Sequence, residues 1–185
     1  MTNAYPIRKT PRAQWFEYNE ALYFVTICTH GMRHYFGEIY DDIMHLTPLG
    51  QYLFEELSSP SLHHPHIEIP LFAVMPNHLH ALVRVGTRRT VSAEDVTPQP
   101  LADVARRVPT ERNARSVGRL PHTLLGNYVA SLKSSVTRYA RKNNISFKWQ
   151  GRYHDHIIRN NDDMNNIGQY IENNVSRWKT DCFYT

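Results

Sequence analysis

The order of apolar and polar positions predicts five strands and three helices along the chain. Runs rich in aromatic and β-branched residues, typical of strands, cover residues 21–29, 35–46, 67–75, 78–85 and 147–158. Apolar residues at helical spacing cover residues 48–57, 121–143 and 162–177. Thr47 and Pro48 are typical start signals for the first of these helices. The second strand segment is interrupted at Asp41-Asp42, so it is either one strand or a hairpin arm.

This order of elements is typical of an α+β fold. It suits a ferredoxin-like or RRM-like antiparallel sheet that carries its helices on one face. We therefore expect the other face of the sheet to be open. A length of 185 residues is enough for one domain with its own core, which we take to span residues 1–185.

The composition changes between residues 86 and 120. This segment contains seven arginines, four acids and three prolines, with little periodic apolar content. It predicts a mobile basic insertion within the domain. A solvated loop and a direct role on DNA are both compatible with its charge.

Charge and cysteine content restrict the class of protein. The net charge of +4 is compatible with a polyanionic partner but does not require one. Cys28 and Cys182 are far apart in sequence, as in ordinary reduced cytosolic proteins. We see no apolar signal-peptide core and no apolar run of membrane-spanning length. The expectation is a soluble cytoplasmic protein without membrane contact.

His78 and His80 form the most informative local pattern. They follow Met-Pro-Asn and begin an apolar run, so both side chains point to one face of a predicted strand. Leu79 and Ala81 point to the other face, which we take as buried. Two imidazoles on one strand face can share a divalent metal ion. A pair of surface histidines on a half-exposed strand is the alternative.

Two further histidine clusters compete for the same interpretation. His154 and His156 form a second His-x-His pair next to Tyr153, which is also a rival nucleophile. We expect this pair to support the site or to contact phosphate. A third cluster of histidines, in a predicted loop, is more typical of solvated residues, and its members are His63, His64 and His66.

Tyr170 and Asn174 lie four residues apart on the last predicted helix and therefore on one ridge. A tyrosine hydroxyl can attack phosphorus once a metal polarises the phosphate. The Asn174 amide oxygen can complete a metal site with two histidines. For Tyr170, packing beside Ile167 as a half-buried aromatic residue is the alternative.

The segment from residue 133 to residue 159 predicts a DNA-binding surface. It contains seven Lys or Arg residues and one acid, with aromatic residues between them. Cations follow a phosphate backbone and aromatic rings stack on unpaired bases. Core aromatics beside a solvated helix face are the alternative. The candidate residues are Lys133, Arg138, Arg141, Lys142, Lys148, Trp149, Arg152, Tyr153, His154 and Arg159.

An ordered series of these segments resembles the REP-associated tyrosine transposases, relatives of the single-tyrosine insertion-sequence transposases in the HUH nuclease superfamily. The similar segments cover residues 23–29, 36–37, 46–50, 74–80, 131–134, 149–159 and 170–174. The resemblance implies the HUH endonuclease fold. It also implies an enzyme that nicks and rejoins single-stranded DNA at repetitive hairpins through a 5′-phosphotyrosine, acting as a monomer or homodimer in association with the nucleoid.

The resemblance assigns roles to four residues. His78 and His80 match the pair that holds a divalent ion, usually Mg²⁺ or Mn²⁺. Tyr170 matches the nucleophile, and Asn174 matches a third ligand position that is glutamine in the insertion-sequence relatives. Val175 departs from the pattern, because relatives usually have proline there, and the change would let the helix continue.

Other functions remain compatible with the sequence. One is a domesticated transposase that binds hairpins with little or no cleavage. Another is a replication initiator or relaxase, although the usual extra domains of those enzymes do not fit in 185 residues. A metallohydrolase unrelated to DNA is the third.

Overall fold

The computed structural model describes residues 21–86 and 121–184. In this part of the chain, β1, β4, β5 and β6 form one antiparallel sheet in the order β4-β5-β1-β6, and β2 and β3 form a separate hairpin. The α+β class and the antiparallel sheet are confirmed. The strands are β1 Ala21–Cys28, β2 Gly37–Tyr40, β3 Ile43–Leu46, β4 Ile67–Val74, β5 His78–Val85 and β6 His154–Ile158, and the helices are α1 Pro48–Ser58, α2 Pro121–Lys142 and α3 Asn161–Asn173.

β5 lies inside the sheet between β4 and β1. Its register with β1 places His78 opposite Cys28 and His80 opposite Thr26. Successive side chains of a strand alternate between faces, so the two histidines share one face with Leu82. The opposite face carries Leu79, Ala81, Val83 and Val85, all buried as expected.

α1 and α2 pack on the face that carries Leu79. α1 begins after Thr47, whose side-chain oxygen accepts a hydrogen bond from the Gly50 amide at 3.1 Å, and Pro48 opens the first turn. The Thr47 hydroxyl also donates to the Tyr35 carbonyl at 2.7 Å, which ties the helix start to the preceding loop. The predicted start of this helix is therefore confirmed.

α3 covers the other face of the sheet, so the expectation that all helices share one face is wrong. A second core joins Ile171 of α3 to Leu22, Leu71 and Leu82 of the sheet. The expectation was wrong because it considered only the apolar face that carries Leu79. Apolar side chains also alternate with the histidines on the second face, and burying them requires a cover there.

Three sequence-predicted boundaries differ in detail, and a fourth is not tested. Residues 35–46 form the hairpin β2–β3, whose turn places Asp41 and Asp42 at φ 53° and 55°. Only His154–Ile158 of the last strand segment pairs with β1. The helix predicted over residues 162–177 ends at Asn173, before Val175. Apart from residue 86, the predicted insertion at residues 86–120 lies outside the described residues.

No helix among the described residues is long and apolar enough to cross a membrane.

A glycine is required at position 50, where α1 packs closely against the backbone before β2. A Cβ atom at this position would overlap the carbonyl oxygen of Phe36, a backbone atom that cannot turn away. We expect Gly50→Ala to lower the free energy of unfolding by about 1–3 kcal/mol, measured by urea denaturation.

Gly151→Ala is the matched control, because a Cβ at Gly151 meets no described atom within 4 Å. It should change the free energy of unfolding by less than about 0.5 kcal/mol. Equal effects of the two substitutions would contradict the close approach at Gly50.

Candidate active site

His78 and His80 are buried side by side at the start of β5. Their side chains are 0% and 1% exposed, and their Nε2 atoms lie 3.0 Å apart. The alternative of surface histidines on a half-exposed strand therefore does not describe them. Pro76 and Asn77 end the preceding turn, so both rings emerge from the first residues of the strand.

Neighbouring side chains fix the tautomer of His78. The amide nitrogen of Asn77 donates to the carbonyls of Met32 and Phe183, which leaves its Oδ1 as an acceptor. This oxygen lies 2.8 Å from His78 Nδ1, so Nδ1 carries the proton and His78 Nε2 presents a lone pair. His80 Nδ1 lies 2.8 Å from the Thr26 hydroxyl, which can hold that ring in the same tautomer.

Burial keeps both imidazoles neutral. It lowers the pKa of His78 to about 3. Burial also lowers the pKa of His80 well below its usual value, and the neighbouring His78 adds to this effect. A neutral imidazole is the form that binds a metal ion. The two Nε2 atoms therefore lie side by side without charge on either ring.

Tyr170 brings its hydroxyl to the same point from α3. The oxygen lies 3.2 Å from His80 Nε2, and the ring makes an edge contact with Phe24 at 6.2 Å between centroids. The side chain is 40% exposed, so the hydroxyl is also accessible from solvent. Burial raises the pKa of Tyr170 above its usual value, and the carboxylate of Asp181 raises it further.

Asp181 was missed in the sequence. Its Oδ2 accepts hydrogen bonds from the Tyr170 hydroxyl at 3.2 Å and from the Asn174 amide at 2.8 Å, while its Oδ1 accepts from the Phe183 amide at 2.8 Å. It lies after α3, in the segment that also carries Trp178 and Phe183. No local pattern could have placed it, because only the turn after Asn173 returns this segment to β5.

Asn174 supplies an oxygen with no partner. It follows the last residue of α3 and is 1% exposed, and its Oδ1 has no hydrogen-bond partner among the described residues. An unpaired buried amide oxygen costs free energy unless a ligand or water satisfies it. Together with two neutral imidazoles it offers a donor set for a divalent metal ion.

A carboxylate completes this donor set. His78, His80 and Asp181 each place one ligand atom within 4.8 Å of the others. Among the described residues this is the cluster of histidine, cysteine or acidic side chains that could hold a metal ion. The residues therefore fit a divalent cation, and the fit does not depend on the resemblance.

The rival histidines lie elsewhere. His154 and His156 are exposed on β6, and His156 Nε2 is paired with Asp163 Oδ2 at 2.8 Å. The register places His154 opposite Thr26, so this pair shares the sheet face with His80 but is not part of the cluster. Of the third cluster, His64 contacts the Ser131 hydroxyl at 3.1 Å, on the α2 side of the sheet.

Tyr153 is also separated from the paired histidines. It is half-buried and packs against the core under α2, and its hydroxyl lies 3.8 Å from the position of a Cβ on Gly126. Tyr170 is therefore the candidate nucleophile that the structure brings to His80.

The candidate DNA-binding residues fall into two groups. Lys133 donates to the carbonyls of Gln150 and Arg152 at 2.7 and 3.3 Å, and the Trp149 ring is 9% exposed with its Nε1 donating to the Lys133 carbonyl. These side chains hold the loop before β6 in place. The other candidates, apart from the half-buried Tyr153, are exposed, and they are Arg138, Arg141, Lys142, Lys148, Arg152, His154 and Arg159.

Comparison with known proteins gives relatives in sequence and in structure. No family model matches the chain. An uncharacterised protein of Haemophilus influenzae is 31% identical over 179 residues, which cover 96% of this chain and 93% of the relative.

Two solved structures are similar to the chain. The structure of the REP-associated tyrosine transposase bound to a REP hairpin matches with a TM-score of 0.50 and 16% identity, over 95% of this chain and 76% of that one. A Deinococcus radiodurans protein provisionally assigned as a transposase matches with a TM-score of 0.40 and 15% identity, over 88% of this chain and 97% of that one. The chain therefore belongs to one protein family with the Haemophilus influenzae relative and has the fold of the REP-associated tyrosine transposase.

Proposed function

We propose that the chain is a REP-associated tyrosine transposase. In this proposal it is a metal-dependent endonuclease that nicks and rejoins single-stranded DNA at repetitive hairpins. The observation that carries the proposal is the Tyr170 hydroxyl, 3.2 Å from His80 Nε2 in a site that fits a divalent ion. The fold shared with a transposase whose structure contains a REP hairpin supports the choice of substrate.

Four residues are suited to hold the ion. His78 and His80 offer neutral Nε2 atoms, and Asn174 offers its unpartnered Oδ1. Asp181 orients the Asn174 amide and lies close enough to add a carboxylate oxygen. When bound, Mg²⁺ or Mn²⁺ would polarise the scissile phosphate and stabilise its developing negative charge.

In this proposal, Tyr170 attacks the phosphorus atom and Asp181 accepts the proton of its hydroxyl. The raised pKa of Tyr170 keeps its hydroxyl protonated at neutral pH, so a group must accept the proton during attack. The Asp181 carboxylate already accepts a hydrogen bond from that hydroxyl and is placed to take the proton. The tyrosine oxygen then bonds to phosphorus and the bond from phosphorus to the 3′ oxygen breaks. That oxygen leaves as a hydroxyl with a proton from the protonated Asp181 or from water.

Rejoining is the reverse of this reaction. A 3′-hydroxyl attacks the phosphotyrosine, the bond from the tyrosine oxygen to phosphorus breaks, and Tyr170 regains its proton. The phosphodiester energy is kept in the covalent intermediate, so no nucleotide cofactor is required.

A hairpin-binding protein with little cleavage is the second candidate function. The segment after α3 packs on the site, with the Phe183 ring 4.5 Å from the His78 ring and Trp178 also beside it. These rings lie beside the histidines and would restrict access of a scissile phosphate to them, which favours slow cleavage.

We expect Tyr170→Phe to abolish the covalent protein–DNA adduct while keeping the fold and hairpin binding. The change deletes only the hydroxyl and keeps the ring that contacts Phe24. The measurement is a denaturing gel after incubation of the protein with labelled single-stranded hairpin DNA and Mn²⁺. Tyr153→Phe is the matched control and should form a normal adduct. A normal adduct from Tyr170→Phe would disprove the proposed role of this residue.

His78→Ala and His80→Ala should each weaken Mn²⁺ binding at least about tenfold and remove cleavage, because each deletes one ligand. Isothermal titration calorimetry measures the metal affinity, and hairpin binding should remain. His154→Ala is the control from the rival pair and should keep normal metal affinity. Full cleavage by the double alanine variant with added Mg²⁺ would exclude these histidines from the metal site.

Hairpin binding should weaken steeply with salt, because the exposed cations between residues 133 and 159 release counterions from the phosphates. If about six phosphates are contacted, affinity falls on the order of 10³-fold between 50 and 200 mM salt.

Lys148→Gln should reduce the slope of log affinity against log salt by about one. Lys179→Gln, outside this segment, should leave the slope unchanged. An affinity independent of salt would contradict a phosphate-contacting surface.

A further inference from the structure

The two buried imidazoles have different partners at their Nδ1 atoms. His78 Nδ1 lies 2.8 Å from the side-chain oxygen of Asn77, and His80 Nδ1 lies 2.8 Å from the hydroxyl of Thr26. Asn77 is 0% exposed and Thr26 is 5% exposed, so both contacts are shielded from water. The chemistry of these two partners therefore sets the tautomer of each ring.

Asn77 fixes the tautomer of His78. Its amide nitrogen donates to the carbonyls of Met32 at 3.2 Å and Phe183 at 2.8 Å, so turning the amide over would break both hydrogen bonds. The side-chain oxygen therefore stays opposite His78 and requires a proton on Nδ1. Consequently His78 Nε2 carries a lone pair and can only accept.

His80 takes the opposite tautomer when the two rings are hydrogen-bonded to each other. Its Nε2 lies 3.0 Å from His78 Nε2, which can only accept, so the proton between them belongs to His80. The same N–H faces the oxygen of Tyr170 at 3.2 Å, whose own hydroxyl donates to Asp181. His80 Nδ1 is then an acceptor, and the Thr26 hydroxyl donates to it.

A metal ion held by both histidines requires the other tautomer of His80. The ion needs a lone pair on Nε2, so the ring must carry its proton on Nδ1. One proton leaves Nε2 to solvent and one is taken up from solvent at Nδ1, so the charge of the ring does not change. A hydroxyl can donate to Nδ1 or, after rotation about its C–O bond, accept from it.

We propose that Thr26 is a positioning residue that allows His80 to exchange its tautomer when a divalent ion binds. The inference rests on the metal site of the proposed function and not on cleavage. Asn77 keeps His78 in one form, whereas Thr26 provides a partner for His80 in both forms. The exchange also removes the hydrogen bond from His80 to the Tyr170 oxygen, which leaves that oxygen available for attack.

The nitrogen NMR spectrum of the histidine rings tests this directly on the full chain, because ring nitrogens with and without a proton resonate far apart. Spectra are recorded without metal and with Zn²⁺, a diamagnetic ion that binds imidazole nitrogen. The signals lost in His78→Gln and in His80→Gln assign the two rings.

Without metal, His78 should carry its proton on Nδ1 and His80 on Nε2. Zn²⁺ should move the His80 proton to Nδ1 and leave the tautomer of His78 unchanged. A proton on His80 Nδ1 before metal is added would overturn the proposal. So would a His80 Nε2 that keeps its proton in Zn²⁺, or spectra in which Zn²⁺ changes neither ring.

Substitutions of Thr26 separate positioning from a merely structural role. Thr26→Val leaves the Nδ1 proton of metal-bound His80 without a partner, so Mn²⁺ affinity in isothermal titration calorimetry should fall about tenfold. Thr26→Ser keeps a hydroxyl and should restore the affinity. Thr47→Val is the matched control, because its hydroxyl donates to the Tyr35 carbonyl at 2.7 Å and contacts no imidazole. Equal losses in Thr26→Val and Thr47→Val, or no rescue by serine, would overturn the proposal.

This inference and the proposed function can fail separately. Metal-dependent cleavage of hairpin DNA without tautomer exchange at His80 would overturn the inference alone. Tautomer exchange at His80 in a protein that does not cleave hairpin DNA would contradict the proposed function and support the role of Thr26.

Discussion

Burial of two neutral imidazoles at the start of β5 determines how the elements around the candidate site are arranged. His78 and His80 are held with their Nε2 atoms 3.0 Å apart, and Asn77 and Thr26 occupy the other ring nitrogens. At that distance either one ring donates its Nε2 proton to the other or, with both rings in the Nδ1–H form, a cation lies between the two lone pairs. Burial lowers the pKa of His78 to about 3, so neither arrangement requires a charged ring.

Covering these histidines also positions the candidate nucleophile. α3 packs its apolar stripe on the histidine face through Ile171, and the same helix delivers Tyr170 to His80 one residue earlier. The chain then turns back after Asn173, so Asp181 reaches both Tyr170 and the Asn174 amide. Packing of α3 on the histidine face therefore brings together candidate metal-donor atoms from the sheet, from the end of α3 and from the segment that follows it.

The sequence predicted what depends on local pattern. The strand that carries His78 and His80 has the predicted bounds, and the cap at Thr47 begins α1 where expected. The cover over the histidine face was not predicted, because periodicity identifies an apolar stripe but not the sheet face that receives it.

The sequence analysis also missed Asp181, because its position beside Tyr170 depends on the turn after Asn173 and not on a local pattern. Trp149 reads as a base-stacking residue in sequence, yet tertiary packing buries its ring against Phe36 and Phe147.

The proposed chemistry requires that the residue facing His80 forms the covalent bond to DNA. Mass spectrometry of the adduct formed between the unaltered protein and single-stranded hairpin DNA in Mn²⁺ identifies the linked residue without any substitution. We expect a DNA-linked peptide that contains Tyr170. A linked peptide that contains Tyr153 would show that Tyr170 is not the nucleophile.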